Sequence, residues 1–234
     1  MIGIIAAMKT ELELIRSKLE QTKEERKGGI VFYRGTYCGE DVVCSVCGIG
    51  KVFAAMCAEA MILSYSPYVI INTGVAGALD DSLKILDCTV AVKCVQYDMD
   101  TSPLGDPVGM ISGINKIYFD TDTELSEIFR NCIREAGKEP VACIAASGDR
   151  FIADKRKKKS IAKAFQAGVC DMESASVAQV CYVNGTPFII SRVVSDGAGD
   201  DAEYDYNLMC SIAADISSGA VLSFIEKMGG LKHA

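Results

Sequence analysis

Three carboxylates occupy positions where this chain could carry acid–base chemistry. Glu11 follows the first apolar run, Glu173 lies in Cys170-Asp171-Met172-Glu173-Ser174, and Asp196 ends Ser191-Arg192-Val193-Val194-Ser195-Asp196. Taken singly, such residues are commonly surface charges or helix-terminus carboxylates. Together they form a set that a parallel sheet can gather at one edge, where crowded carboxyl groups shift each other's proton affinity as acid–base catalysis requires. Sequence leaves open whether they converge. The single histidine is His233, at the end of the chain, so imidazole triads and the HExxH zinc motif are excluded and proton transfer falls to carboxylates.

Other chemistry-like patterns read as structural. Cys44-Ser45-Val46-Cys47 has CxxC spacing, but in a strand residues three apart point to opposite faces, so these thiols share neither a metal nor a disulfide. Gly48-Ile49-Gly50-Lys51 opens a helix like a phosphate loop. A dinucleotide fingerprint would need glycine at Phe53, and a P-loop would need serine or threonine at Val52. The turn therefore reads as a tight strand-to-helix connection. Residues 155–159 are consecutive basic side chains without interleaved aromatics, the pattern of a solvated helical face.

These residues need a scaffold, and the rest of the chain supplies one. Short β-branched runs at 2–6, 42–47, 68–72, 88–95, 141–146 and 187–194 alternate with helical patterns at 9–20, 51–64, 123–136, 174–184 and 205–228. In the last helix Leu208, Ile212, Ile216, Ala220 and Phe224 repeat every four residues, a stripe that can pack on a sheet. Alternation of this kind predicts a largely parallel, helix-flanked sheet, with ligands beyond the carboxyl ends of its strands. The longest loop, 97–115, has little periodicity, as lids and interface pieces often do.

The 234 residues, half of them apolar, read as one domain, 1–234. A net charge of −7 disfavours nucleic acid and acidic membranes as partners and favours a small molecule. The 11 cysteines have no framework spacing, and the first apolar run lacks a basic leader, so a reducing, cytoplasmic compartment is expected. No apolar stretch is expected to span a membrane, which needs about 20 residues.

Six ordered motifs then carry a resemblance over almost the whole length. They are Gly3-Ile4-Ile5-Ala6-Ala7-Met8 leading to Glu11, Gly48-Ile49-Gly50-Lys51-Val52, Asn72-Thr73-Gly74-Val75-Ala76-Gly77, Ser147-Gly148-Asp149 with Phe151-Ile152, Asp171-Met172-Glu173, and Arg192 with Ser195-Asp196. The chain resembles the 5'-methylthioadenosine/S-adenosylhomocysteine nucleosidases of the purine nucleoside phosphorylase-like superfamily. This resemblance implies a three-layer α/β/α sandwich around a mixed, mostly parallel, partly barrel-like sheet. It also implies a homodimer that uses neither metal nor organic cofactor.

By the same resemblance, Asp196 is the general acid that protonates purine nitrogen 7, and burial or other negative charge should keep it protonated. Glu11 is the base for the attacking water, Glu173 accepts from the ribose hydroxyls, and Arg192 fixes the water and the Glu11 carboxylate. Phe151 stacks on adenine, the backbone of Ile152 reads its edge, and Met172 lies against the sugar. Val75, Ala76, Gly77 and Ser195 complete the pocket. Met8, Ile49 and, from a partner subunit, Leu104 line the alkylthio end. Two departures stand out. Val75 replaces a hydroxyl that in relatives touches water or phosphate, and Tyr97-Asp98-Met99-Asp100 replaces a segment that often begins with histidine. Three rival functions remain: a phosphate-dependent phosphorylase, a nucleosidase for another nucleoside such as aminodeoxyfutalosine, and a non-catalytic nucleoside-binding protein.

Overall fold

The computed structural model describes residues 1–197 and 206–232. The expected start of the last helix at Asp205, and His233, lie outside the described residues. The chain runs β1 (Ile2–Ala6), α1 (Lys9–Lys18), β2 (Glu20–Lys27), β3 (Ile30–Tyr37), β4 (Glu40–Val46), α2 (Lys51–Tyr65), β5 (Val69–Ala78) and β6 (Cys88–Gln96). It continues with β7 (Tyr118–Asp120), α3 (Thr123–Glu135), β8 (Val141–Ser147), α4 (Lys155–Phe165), β9 (Val169–Asp171), α5 (Ser174–Asn184), β10 (Phe188–Asp196) and α6 (Tyr206–Lys232).

The strands form one sheet in the order β10-β6-β8-β9-β5-β1-β4-β3-β2, and a further β10–β5 pairing closes the first five into a ring. Five pairings are parallel and five antiparallel among the described residues, so the sheet is more evenly mixed than the expected mostly parallel one. The β2–β3 hairpin and the short strands β7 and β9 account for the difference. They were missed because β2, Glu-Gln-Thr-Lys-Glu-Glu-Arg-Lys, has no apolar alternation and lies almost wholly in solvent. Backbone pairing with β3 holds it extended, and its charges discourage further edge pairing.

Helices cover both faces. Leu12 and Ile15 of α1, Phe129 of α3 and Phe224 of α6 share one apolar cluster with β1 and β4. Cys57 of α2 and Cys181 of α5 join the opposite cluster. Cys44 and Cys47 fall into these two different clusters, as strand alternation predicts. Within α6, Leu208–Leu231 is long and apolar enough to cross a membrane, contrary to the expectation that no stretch would be. Its buried residues Ala213, Val221, Phe224 and Ile225 pack in the core, and Ser217 bonds to Thr73 of β5. Of the expected stripe, Ala220 and Phe224 are buried, Ile212 and Ile216 are half-buried and Leu208 is exposed, so the face turned to the core is offset by about one residue from it.

Two departures from local expectation shape the site. β5 does not stop at Asn72 but continues through Thr73-Gly74-Val75-Ala76-Gly77, held by β10 on one side and β9 on the other. In β10 the register shifts between Val194 and Asp196, which sets Asp196 opposite Gly77. A bulge of this kind re-aims a side chain at a strand end.

Candidate active site

The carboxyl ends of β1, β5, β9 and β10 meet at one open cleft. Met8, Glu11, Ile49, Val75, Ala76, Gly77, Phe151, Met172, Glu173, Ser195 and Asp196, all residues that the resemblance singles out, line it. Ala7, Cys170 and Asp171 complete the wall.

Glu11 is the third residue of α1. Its Oε2 accepts from the backbone N–H groups of Ala7 (3.0 Å) and Met8 (2.8 Å), which otherwise lack partners at a helix start. Its Oε1 accepts from Val75 N at 3.0 Å. A Cβ on Gly74 would stand 2.5 Å from that oxygen, so only glycine lets β5 come this close. Burial pushes the Glu11 carboxyl above its ordinary value, opposed by these N–H groups and by the charge of Arg192. The result is a desolvated carboxylate held in one orientation and able to accept a proton.

Glu173 caps α5. Its Oε1 accepts from Gly50 N at 2.8 Å and its Oε2 from Met172 N at 3.3 Å. Gly50, at φ +100°, adopts the backbone that aims this N–H at the carboxylate. The turn read as a mere connection therefore positions a site residue. Burial, followed by the negative charge of Asp171, pushes Glu173 up to about 7.

Arg192 does not line the cleft. It is buried behind it, donating from Nε to Asp171 Oδ2 at 2.8 Å, from Nη2 to Asn72 Oδ1 at 2.5 Å, and from Nη1 to the carbonyls of Asn72 and Ser191. The expected grip on Glu11 is corrected: the guanidinium is committed to Asp171 and Asn72, and it reaches Glu11 through its charge alone. Asp171, which sequence reasoning did not single out, is the hub. It also accepts from Ser147 Oγ (2.5 Å), from the backbone of Glu173 and Ser174, and from the Ser174 hydroxyl.

Asp196 differs from expectation in a second way. Its nearest charged partner is a cation, Lys158 of α4, whose Nζ donates to Oδ2 at 2.6 Å, and its side chain remains 24% exposed. Among the described residues, neither deep burial nor a hydrogen-bonded carboxylate surrounds it. Its Oδ1 lies 3.0 Å from Ser195 Oγ, and a Cβ on Gly77 would meet Oδ2 at 2.8 Å. Lys158 belongs to the run read as a solvated face. The other four basic residues are exposed, while Lys158 is buried. Its spacing from Ile161 and Phe165, both in the cluster under α4, was the available signal.

Two further expected residues do not line this chain's own cleft with their side chains. The Ile152 side chain is buried with Ile161 and Phe165, the contact expected of it being one from its backbone. Leu104, expected to act from a partner subunit, stands in a single 3-10 turn (Ser102–Leu104) and is 84% exposed. Near that loop, Lys51 Nζ donates to Asp98 at 2.6 Å, and Asp98 accepts from Asp149 N at 2.9 Å, tying its start to the site.

Carboxylates at one edge of a partly closed α/β sheet, with an aromatic at the rim, suit an acid–base enzyme, and the proteins this chain resembles make it a nucleosidase, an N-glycosyl hydrolase. The chain belongs to the phosphorylase superfamily, which its residues 1–226 match. It is 35% identical over 227 residues to the aminodeoxyfutalosine nucleosidase of Campylobacter jejuni, covering 97% of this chain and 99% of that one. It is 34% identical to the 5'-methylthioadenosine/S-adenosylhomocysteine nucleosidase of Staphylococcus carnosus, covering 97% and 100%. Among solved structures, the Neisseria meningitidis 5'-methylthioadenosine/S-adenosylhomocysteine nucleosidase in complex with methylthio-immucillin-A superposes with a TM-score of 0.91 at 31% identity, covering 97% and 98%.

Proposed function

We propose that this enzyme hydrolyses the N-glycosidic bond of 5'-methylthioadenosine and S-adenosylhomocysteine, releasing adenine and the 5-thioribose product. The observation that carries the reading is the convergence of Glu11, Glu173 and Asp196 on one cleft. In this mechanism Asp196 gives a proton to nitrogen 7 of adenine, making the base a better leaving group. As the bond lengthens the sugar gains positive charge, which ionised Glu173 favours more in the transition state than in the substrate while accepting from the ribose hydroxyls. Glu11 removes a proton from the attacking water. Phe151 covers the base, Met172 and Ile49 the sugar and its thioether.

Hydrolysis is favoured over phosphorolysis by the wall itself. No Lys or Arg lines the cleft among the described residues, and Val75 offers a phosphate no hydroxyl. The resemblance to the Campylobacter enzyme supports a second reading of the substrate, in which aminodeoxyfutalosine is cleaved at the same site. A homodimer is supported by the start of α2, where Val52, Phe53 and Met56 are exposed beside the cleft, and by exposed Leu104. The 11 free cysteines support a cytoplasmic location.

The test is adenine release from 5'-methylthioadenosine in phosphate-free buffer, with the sugar product identified. Free methylthioribose is the expected product. A strict need for phosphate, with methylthioribose 1-phosphate formed, would overturn the reading. Rapid cleavage of aminodeoxyfutalosine alone would transfer it to the second substrate.

A further inference from the structure

Lys158 is a buried ammonium on an otherwise solvated basic helix face, with only 5% of its side chain exposed. A charge taken out of water is tolerated when it is paired and hydrogen-bonded. Among the described residues, its hydrogen bonds lie at the end of β10: to Asp196 Oδ2 and the Gly197 carbonyl, each at 2.6 Å. The titratable group facing the pair from β9 is the Cys170 thiol, which burial pushes up to about 12, so it stays neutral and does not compete for the ammonium. Ile161 and Phe165 seat the same face of α4 in an apolar cluster with Val95, Ala146 and Cys170, which gives the lysine a rigid base.

We propose that Lys158 is a positioning residue for the general acid. It holds Oδ2 of Asp196, leaving Oδ1 to carry the proton, and it stabilises the carboxylate that forms when this proton leaves. The proposal rests on the reading of Asp196 as the acid. In the step, the Oδ1–H bond breaks and an N–H bond forms at nitrogen 7, and the electron pair of the O–H bond remains on the carboxylate. The pair of the glycosidic bond goes to the purine, and Lys158 keeps its proton throughout. Ser195 fits this cycle. Its Oγ lies 3.0 Å from Oδ1 and 3.4 Å from the Ala76 carbonyl, so its one proton can serve the ionised acid or turn to Ala76 when Oδ1 is protonated. Negative charge grows on Asp196 as the transition state is reached, so a fixed cation beside it acts on kcat more than on substrate binding.

The test compares wild type, K158M, K158R, D196N and the K158M/D196N double variant in steady-state cleavage of 5'-methylthioadenosine. K158M is expected to lower kcat by about 30- to 100-fold with KM within about threefold, and K158R to recover part of the loss. In the D196N background K158M should change the residual rate by less than about twofold, because its action passes through the acid. A wild-type kcat in K158M, or an equal loss in both backgrounds, would overturn the proposal. Near-normal turnover by D196N would instead remove Asp196 as the acid. Should K158M fail to fold, K158Q carries the same comparison.

Discussion

E173Q is expected to strengthen the fold above neutral pH while removing most turnover. Burial and the charge of Asp171 raise Glu173 from 4.5 to about 7, so between those values the native state holds a proton that the unfolded chain has lost. The native form therefore binds more protons in that window, and stability falls as pH rises: the contribution is complete below the unfolded value and is lost by the time pH has passed through about 7. At about 1.4 kcal/mol per pH unit the displacement is worth roughly 3 kcal/mol, most of which falls between about pH 5 and about pH 9. Glutamine carries no charge at either pH. Its oxygen can keep the Gly50 contact, but its amide nitrogen then faces the Met172 N–H and forfeits that bond, costing about 1 kcal/mol throughout. Near pH 5 the two proteins should differ little, and near pH 9 the variant should be more stable by about 2 kcal/mol. Urea denaturation at the two pH values measures this, with an unchanged slope showing that the same surface unfolds. A stability difference that is identical at both pH values would refute the assigned environment of Glu173. Turnover should drop by about two orders of magnitude, because a neutral amide does not stabilise a positive sugar.

Two further perturbations probe the parts around it. G74A places a Cβ against Glu11 Oε1, so kcat should fall by about 100-fold or more while stability drops by about 1–3 kcal/mol; normal turnover would mean that the base is not held where β5 puts it. R192Q leaves Asp171 without its cation and should destabilise the fold by about 3–5 kcal/mol in denaturation. Because Arg192 also lowers Glu173, the acidic limb of kcat/KM in that variant should move to higher pH, and an unmoved limb would show that Glu173 does not govern it.

Much of the site was legible because it depends on local rules. Glu11 is placed by a strand followed at once by a helix, and its carboxylate reaches back to the N–H groups at the helix start. Glu173 and Asp196 likewise sit where a strand ends; the parallel strands β1, β5 and β10 deliver their carboxyl ends to a common edge, and β9 brings Glu173 there by antiparallel pairing with the end of β5. The elements that were not legible lack a local signature. β2 is a charged run that is extended only because β3 pairs with it, and β9 is three residues long, held between β5 and β8. β5 reads as ending before its glycines, yet neighbours on both sides keep those glycines in the sheet.

The sequence by itself determined the inventory of this protein: carboxylates as the acid–base groups, and alternating strands and helices to carry them. Only the tertiary structure decided the pairing of charges. Arg192 went to Asp171 and Asn72 rather than to Glu11, and Lys158 left its solvated neighbours to meet Asp196. The reason is range. Helical and strand periods act over a few residues, whereas these pairs join positions 21 and 38 residues apart through the closure of the β5–β10 ring and a shift of register. A buried charge must find its partner wherever the strand order brings one, and strand order is a property of the assembled sheet.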